Sequence, residues 1–150
     1  MKQILPRHPK KHSRSVLKED LQRVMADAKE LHRICFEKHG VYFGAVAMAH
    51  VQIEANDPLR FFVKKDGTII CNPIIVQKDE LYTHKEGCMS YSFRGVKKVI
   101  RYRRIKVSCF ISHVDNESID LLDRRYLDIE DLEAAIYQHE IGHFNLNTIY

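Results

Sequence analysis

The first regular pattern along the chain is a stripe of apolar residues that recur at alternating steps of four and three. Its members are Leu17, Leu21, Val24, Ala28, Leu31 and Cys35. Such spacing puts side chains on one face of an α-helix, and Ser15 is a candidate N-cap. The pattern therefore predicts an amphipathic helix of roughly six turns that ends near Gly40. Because so regular a stripe is a packing surface, we expect Cys35 to be a core residue and assign this helix no chemistry.

Beyond Val41 the apolar period changes to that of β-strands. Residues 59–64 and 68–76 are predicted to form two strands around a turn at Asp66 and Gly67. Pro73 indicates an edge strand or the end of pairing. Residues 115–122 are polar and rich in turn formers. A further half-buried strand is predicted where Ile105, Val107, Cys109 and Ile111 alternate with Lys106, Ser108 and Phe110.

The last element is predicted to be a helix, with Asp128 as its candidate N-cap and Asp131 three residues on. The same three-and-four step along this helix reaches His139 and His143, which places both histidines on its buried side. Together the patterns predict one α+β domain over residues 1–150, with a long N-terminal helix, antiparallel β-sheets and a C-terminal helix. The apolar face of that last helix consists of Leu132, Ala135 and Ile136.

Composition excludes several classes of protein. The 150 residues are 45% hydrophobic and 29% charged, which is typical of a single globular domain. No apolar run approaches the roughly 18 residues that a membrane span needs, and residues 1–12 lack the apolar region of a secretory signal. The four cysteines have wide, irregular spacings, which favours free thiols over a disulfide framework. We therefore expect a cytoplasmic protein that has no membrane partner.

The net charge of 24 − 20 = +4 is local rather than global. Residues 1–14 carry five basic side chains and no acid, so the rest of the chain sums to 19 − 20 = −1. Seven basic residues lie between positions 94 and 106, and such a stretch is most often the solvated face of a strand. The competing interpretation is a ribosome-binding or nucleic-acid-binding module. It would use Tyr91, Phe93, Arg94, Lys97, Lys98, Arg101, Tyr102, Arg103 and Arg104.

An H-E-x-x-H sequence on the predicted last helix carries the clearest chemical signal. His139 and His143 stand at i and i+4, a spacing that lets two imidazoles bind one metal ion. Glu140 can act as a proton acceptor without being a ligand. A catalytic metal needs a third protein ligand, and residues 144–150 offer none. The upstream candidates are Cys88, His84, His50 and His113.

Two motifs in this sequence resemble those of the peptide deformylases. They read E-G-C-M-S over residues 86–90 and Q-H-E-I-G-H over residues 138–143, and the Asn-Pro at residues 72–73 matches the pair that precedes the middle motif. A looser version of the family's first motif, A-V-A-M-A-H-V-Q, covers residues 45–52. The chain departs from the family where Ala45 and Ala47 replace glycines, His50 replaces an alanine and Gly142 replaces an aspartate.

The resemblance implies a set of roles for the residues of these motifs. Cys88, His139 and His143 would hold one divalent metal, which would be iron (Fe2+) in the cell and zinc (Zn2+) or nickel (Ni2+) in a purified sample. Glu140 would accept and return a proton, while the Gln52 amide and the backbone N–H of Met89 would bind the oxyanion. The substrate would contact Val46, Ala47, Gly87, Leu132, Ala135 and Ile136.

The function implied is hydrolysis of the N-formyl group from the initiator formyl-methionine of new polypeptides, with release of formate. The sequence is similar to short deformylases that lack a C-terminal helix, including those carried by viruses of bacteria. We therefore expect a monomer in a bacterial cytoplasm, with at most a weak, salt-sensitive ribosome contact through its basic segments. The alternatives are a metal-binding pseudo-enzyme and a basic ribosome-binding or nucleic-acid-binding module without turnover. An assay of formate release from formyl-methionyl peptides distinguishes the enzyme from these alternatives.

Overall fold

A five-stranded antiparallel sheet carries one helix on each face in the computed structural model of this chain. The structure describes residues 1–39, 42–43 and 45–150, and for residues 38, 39, 42, 43, 89, 92 and 93 it describes the backbone alone. The helices are α1 (Leu21–Cys35) and α2 (Asp131–Phe144). The strands are β1 (Lys38–His39), β2 (Tyr42–Phe43), β3 (Ala47–Ala49), β4 (Phe61–Lys64), β5 (Thr68–Glu86), β6 (Lys97–His113) and β7 (Arg125–Glu130).

The order of strands in the large sheet is β3-β4-β5-β6-β7, while β1 and β2 form a separate pair. Because side chains alternate across a strand, the two faces of the sheet bury different residues. Met48, Phe61 and Ile69 pack on the side of α1, and Ala49, Phe62 and Ile70 pack on the side of α2.

Among the described residues, no helix combines the length and the apolar character that crossing a bilayer requires.

The first helix is shorter than its apolar stripe predicts. It spans Leu21–Cys35 after a 3-10 turn at Lys18–Asp20, so the predictions of an N-cap at Ser15 and of six turns are wrong. The backbone before the turn is held extended, because the Asn72 side chain bonds both the N–H and the C=O of Val16. The helix ends at Cys35 and strand β1 begins at Lys38, so the predicted end near Gly40 is also wrong, although Gly40 itself lies outside the described residues. Cys35 is fully buried in the core, as expected.

The predicted hairpin is confirmed, and its second strand continues far beyond residue 76. Gly67 has φ 92° in the turn, and its N–H donates to the carbonyl of Lys64 at 2.9 Å. Pairing of β5 with β4 ends at Cys71, and its register with β6 shifts between Cys71 and Ile74. Pro73, which has no N–H to donate, falls at this break, as the sequence predicts.

The last helix begins later than predicted. Asp128 is not an N-cap, because it lies in strand β7 opposite Lys106, and α2 starts at Asp131. The alternation predicted for β6 also fails at Ser108, Phe110 and Ile111. Ser108 and Phe110 are buried, the latter in the cluster on the α1 side, whereas Ile111 is 38% exposed. Residues 115–122 form turns, as predicted.

Candidate metal centre and its cavity

Three side chains of metal-binding type converge where the end of β5 meets α2. Cys88 lies two residues beyond the end of β5, and His139 and His143 project from successive turns of α2. One ligand atom from each lies within 4.8 Å of the other two. The Cys88 Sγ is 3.5 Å from the Nε2 of His143, which is 3.2 Å from the Nε2 of His139. Of the four upstream candidates, Cys88 is therefore the residue that the fold places beside both histidines.

The other three candidates have different surroundings. His84 lines a cavity beside the cluster, which is described below, and its Nδ1 lies 3.2 Å from a Glu86 carboxylate oxygen. His113 bonds the Asp66 carbonyl. The fully buried His50 pairs with Asp27 at 2.8 Å and accepts the N–H of Leu59 at 3.0 Å, so both its ring nitrogens are used.

An ion pair between Glu86 and Arg101 supports the His139 ring. The Nδ1 of His139 lies 2.8 Å from Glu86 Oε1, and the Arg101 guanidinium donates to both oxygens of that carboxylate at 2.6 and 2.7 Å. Burial disfavours the charged form of Glu86, but hydrogen bonds from Arg101 and His139 outweigh it and lower its pKa to about 2. Burial likewise opposes protonation of His139, but bonds to Cys88 and Glu86 raise its pKa to about 10. Sequence reasoning missed Arg101, since it treated this arginine as part of a solvated basic face.

The N-terminal segment reaches the same cluster. The Nε2 of His8 lies 2.8 Å from the Nδ1 of His143, and the two rings stack with centroids 4.9 Å apart. Burial lowers the pKa of His143 well below its ordinary value. The sequence showed residues 1–14 only as a basic leader, and no local pattern marks His8 as part of a site.

Glu140 follows His139 on α2, lines the cavity beside the cluster and is 3% exposed. Its Oε2 atom is buried and makes no hydrogen bond to any residue that the structure describes. Burial is the largest cause that raises its pKa to about 7. A carboxyl group with this pKa, whose Oε2 has no partner among the described residues, can take up and release a proton near neutral pH.

A cavity of about 310 Å³ opens beside these groups. Ala47 and Ala135 form buried parts of its wall, while Val46 and Leu132 are 61% and 60% exposed at its rim. Leu132 therefore does not lie on the buried side of α2. Sequence reasoning missed Val96, another apolar lining residue, because no motif contains it. The residues predicted to contact substrate all line this cavity, namely Val46, Ala47, Gly87, Leu132, Ala135 and Ile136.

Both predicted oxyanion donors lie near Cys88, since Gln52 is close to it in space and Met89 follows it in sequence. Gln52 donates from Nε2 to the Ser90 hydroxyl at 3.0 Å, and the same nitrogen lies 4.0 Å from the Cys88 sulfur. Its Oε1 accepts the N–H of Ala49 at 2.9 Å, which fixes the orientation of the amide. Met89 is the first residue of a 3-10 turn that follows Cys88.

The departures from the family motifs have structural counterparts. Ala45 and Ala47 are not among the described residues with positive φ, so the backbone at these two positions needs no glycine. Gly142 is different, because an added Cβ would lie 2.4 Å from the backbone oxygen of Asn147. The segment after α2 folds back over Gly142, and the N–H of Asn147 donates to its carbonyl at 2.8 Å.

Acidic neighbours compensate the arginines of the basic stretch. Arg103 bonds Asp131 at 3.1 Å and Arg104 bonds Asp79 at 2.8 Å, in addition to the pair between Arg101 and Glu86. The stretch is thus the partly solvated, ion-paired face of β6, which weakens the interpretation as a nucleic-acid-binding surface.

Comparison with known proteins gives a consistent result. The family model for polypeptide deformylase matches residues 6–150. The peptide deformylase of Desulfotalea psychrophila is 34% identical over 82 residues, which cover 55% of this chain and 43% of that protein, so the match spans less than half of the relative's length. The crystal structure of peptide deformylase from Thermotoga maritima has 24% identity and a TM-score of 0.76, with 99% of this chain and 95% of that chain covered. The PDF of a Vibrio parahaemolyticus bacteriophage has 22% identity and a TM-score of 0.70, with 99% and 98% covered.

Proposed function

The chain belongs to the polypeptide deformylase family, and from this premise we propose that it removes the formyl group from formyl-methionine at the N-terminus of new polypeptides and releases formate. The observation that carries the proposal is the buried Oε2 of Glu140, which has no hydrogen-bond partner among the residues that the structure describes, in a cavity also lined by Cys88 and His139 of the thiol and imidazole cluster. We place the reaction in the cytoplasm of a bacterial cell, where free thiols such as the four of this chain persist.

We propose that Cys88, His139 and His143 hold one divalent metal. A thiolate with two imidazoles suits iron, zinc or nickel, and the separations between the three donor atoms fit ligands of a single ion. We expect iron in the cell and zinc or nickel after purification. When bound, the ion supplies Lewis-acid chemistry, because it polarises the substrate carbonyl and lowers the pKa of water to about 7.

Glu140 is proposed to move the proton. Its carboxylate accepts a proton as water attacks the formyl carbon, and it then delivers that proton to the amine nitrogen as the C–N bond breaks. Burial raises the pKa of this carboxyl group above its ordinary value, which favours a group that both accepts and returns a proton. The products are formate and a polypeptide with a free α-amino group.

The Gln52 amide and the backbone N–H of Met89 are proposed to stabilise the developing negative charge on the formyl oxygen. Gln52 is oriented for this role, because its carbonyl oxygen is already held by the N–H of Ala49. A preset donor needs no reorganisation at the moment of reaction, which is the condition for strong transition-state stabilisation.

The cavity is proposed to take the methionine side chain. Its wall near α2 is apolar at Leu132, Ala135 and Ile136, while Val46, Ala47 and Gly87 line its other sides. Strand β3 is one of the two outer strands of the sheet, and among the described residues it pairs only with β4, so its other edge can pair with an extended peptide. The peptide backbone would then run beside the cavity with its formyl end toward Glu140.

Contact with the ribosome is proposed to be weak and salt-sensitive. Residues 1–14 supply basic side chains, but Arg14 is itself paired with Asp20 and Asp57. The three arginines of β6 are likewise paired with acids. These ion pairs neutralise part of the positive charge, so we expect phosphate to bind weakly at physiological salt. We expect the enzyme to work as a monomer.

Formate release from a formyl-methionyl tripeptide tests this function, with the metal content of each protein measured in parallel. Wild-type protein should release one formate per deformylated peptide. Glu140→Gln should retain one metal per chain but lose turnover by a factor on the order of 10²–10⁴. Cys88→Ala should lose the metal. Glu133→Gln, which alters an exposed carboxylate of the same helix, is the matched control and should behave as wild type.

Two outcomes contradict the proposal. Metal-loaded wild-type protein that releases no formate would be a metal-binding pseudo-enzyme. Retention of more than a few per cent of wild-type turnover by Glu140→Gln would assign the proton transfer to another residue.

A further inference from the structure

A third histidine packs against the proposed metal site from the N-terminal segment. The ring of His8 lies between those of His143 and Tyr91, with centroids 4.9 and 6.2 Å away and interplanar angles of 19° and 11°. Backbone hydrogen bonds anchor the N-terminal segment on both sides of His8. The N–H of Leu5 donates to the Gln52 carbonyl at 2.8 Å, and the N–H of Ser13 donates to the Phe144 carbonyl at 2.9 Å.

Both ring nitrogens of His8 have a partner. Its Nδ1 is 3.0 Å from the carbonyl oxygen of Pro9, and its Nε2 is 2.8 Å from the Nδ1 of His143. A carbonyl oxygen only accepts, so the Nδ1 of His8 must carry a proton in this contact. In the neutral ring the Nε2 of His8 is then an acceptor, and the proton between the two rings belongs to His143.

This arrangement determines which nitrogen of His143 is free. With its proton on Nδ1, His143 presents a lone pair on Nε2, the atom that lies 3.5 Å from the Cys88 sulfur and 3.2 Å from the Nε2 of His139. The opposite tautomer would put a proton on Nε2 and exclude a metal bond there.

The two histidines are therefore supported by different groups. His139 is backed by the Glu86 carboxylate, which Arg101 holds in place. His143 is backed by a neutral imidazole that reaches it from a residue 135 positions earlier in the chain. We propose that His8 is a positioning residue that holds His143 in the Nδ1–H tautomer and so makes its Nε2 available to the metal. The inference rests on the proposed metal site.

Zinc affinity, measured by competition with a chromophoric chelator, tests the role of His8 without any turnover. His8→Phe keeps an aromatic ring between Tyr91 and His143 but removes the acceptor, and it should weaken zinc binding by about 10–100-fold. His8→Gln restores an acceptor oxygen and should recover most of the affinity. His12→Phe changes an exposed histidine of the same segment and should bind zinc as wild type does.

A second measurement needs no variant. The ¹⁵N chemical shifts of the histidine rings in zinc-loaded wild-type protein should show a proton on Nδ1 of both His8 and His143. A proton on Nε2 of His8 would overturn the proposal.

The remaining outcomes separate this inference from the proposed function. Unchanged zinc affinity in His8→Phe, or equal loss in His8→Phe and His8→Gln, would overturn the role of His8 and leave the deformylase proposal standing. Wild-type protein that binds no zinc would overturn both.

Discussion

Replacement of Gly142 by alanine sets two physical effects of opposite sign against each other. In an unobstructed helix, alanine stabilises relative to glycine by up to about 1 kcal/mol. Here the new Cβ would lie 2.4 Å from the backbone oxygen of Asn147, whereas ordinary contacts of this kind begin at 3.4 Å. The overlap of 3.4 − 2.4 = 1.0 Å cannot be relieved by a side-chain rotation, because the obstructing atom belongs to the backbone. The segment after α2 would have to move.

The cost of such overpacking is typically about 1–3 kcal/mol, and movement of the segment also strains the hydrogen bond from Asn147 to Gly142. A strained hydrogen bond adds about 0.5–1.5 kcal/mol, and the helix-propensity gain removes about 1 kcal/mol, so we expect Gly142→Ala to lower the free energy of unfolding by about 0.5–3.5 kcal/mol. The same clash would apply to the aspartate that the family has at this position, because its Cβ occupies the same place.

Urea unfolding of metal-free wild-type and variant protein measures this difference without interference from the neighbouring His143. Gly87→Ala is a suitable control, since the nearest described atom to its added Cβ would be the backbone oxygen of Gly95, at an ordinary contact distance of 3.8 Å. It should change the free energy of unfolding by less than about 0.5 kcal/mol. A Gly142→Ala protein as stable as wild type, or more stable, would refute the steric argument.

Three further predictions concern the site and the fold. Gln52→Ala should lower kcat by a factor on the order of 10²–10³ with unchanged zinc content, and an unchanged kcat would remove Gln52 from the oxyanion site. Hydrogen bonds from Arg14 lower the pKa of Asp20 below its ordinary 3.8, so its carboxylate stabilises the fold above that pH and loses this effect as the pH falls through the lowered value. Asp20→Asn should therefore cost about 1–3 kcal/mol in urea unfolding at pH 7 and less below pH 3.8, and a difference independent of pH would contradict this. Burial raises the pKa of Cys35 and Cys71 to about 12 and that of Cys109 to about 11. Iodoacetamide should therefore modify these three thiols only after unfolding, which mass spectrometry can measure.

Features that depend on neighbours in sequence were predictable. The i, i+4 spacing of His139 and His143 brings their Nε2 atoms to 3.2 Å of each other once α2 forms, and the turn at Gly67 follows from its Asp-Gly pair. Element boundaries were less predictable, because tertiary contacts decide them. The extended segment around Val16 is held by Asn72, a partner 56 residues away that no local pattern reveals.

The groups that support the candidate ligands were not predictable for the same reason. Arg101 lies opposite Tyr82 in the pairing of β5 with β6, and its long side chain reaches the Glu86 carboxylate further along β5. His8 meets His143 only because the N-terminal segment crosses the end of α2. The motifs identified the candidate ligands and the proton acceptor, while the contacts that orient them became visible in three dimensions.

The long pairing of β5 with β6 has a consequence for the order of assembly during folding. The pair nearest the connection, Glu86 with Lys97, is only 97 − 86 = 11 residues apart, so the hairpin can zip from its closed end with little loss of chain entropy. Glu86, Cys88 and Arg101 thus come into place through sequence-local contacts. His139 and His143 join them only when α2 docks from the far end of the chain. In pulse-labelled hydrogen exchange, the amides of β5 and β6 should accordingly become protected before those of α2. Each imidazole would then reach a site in which the Glu86 carboxylate is already in place.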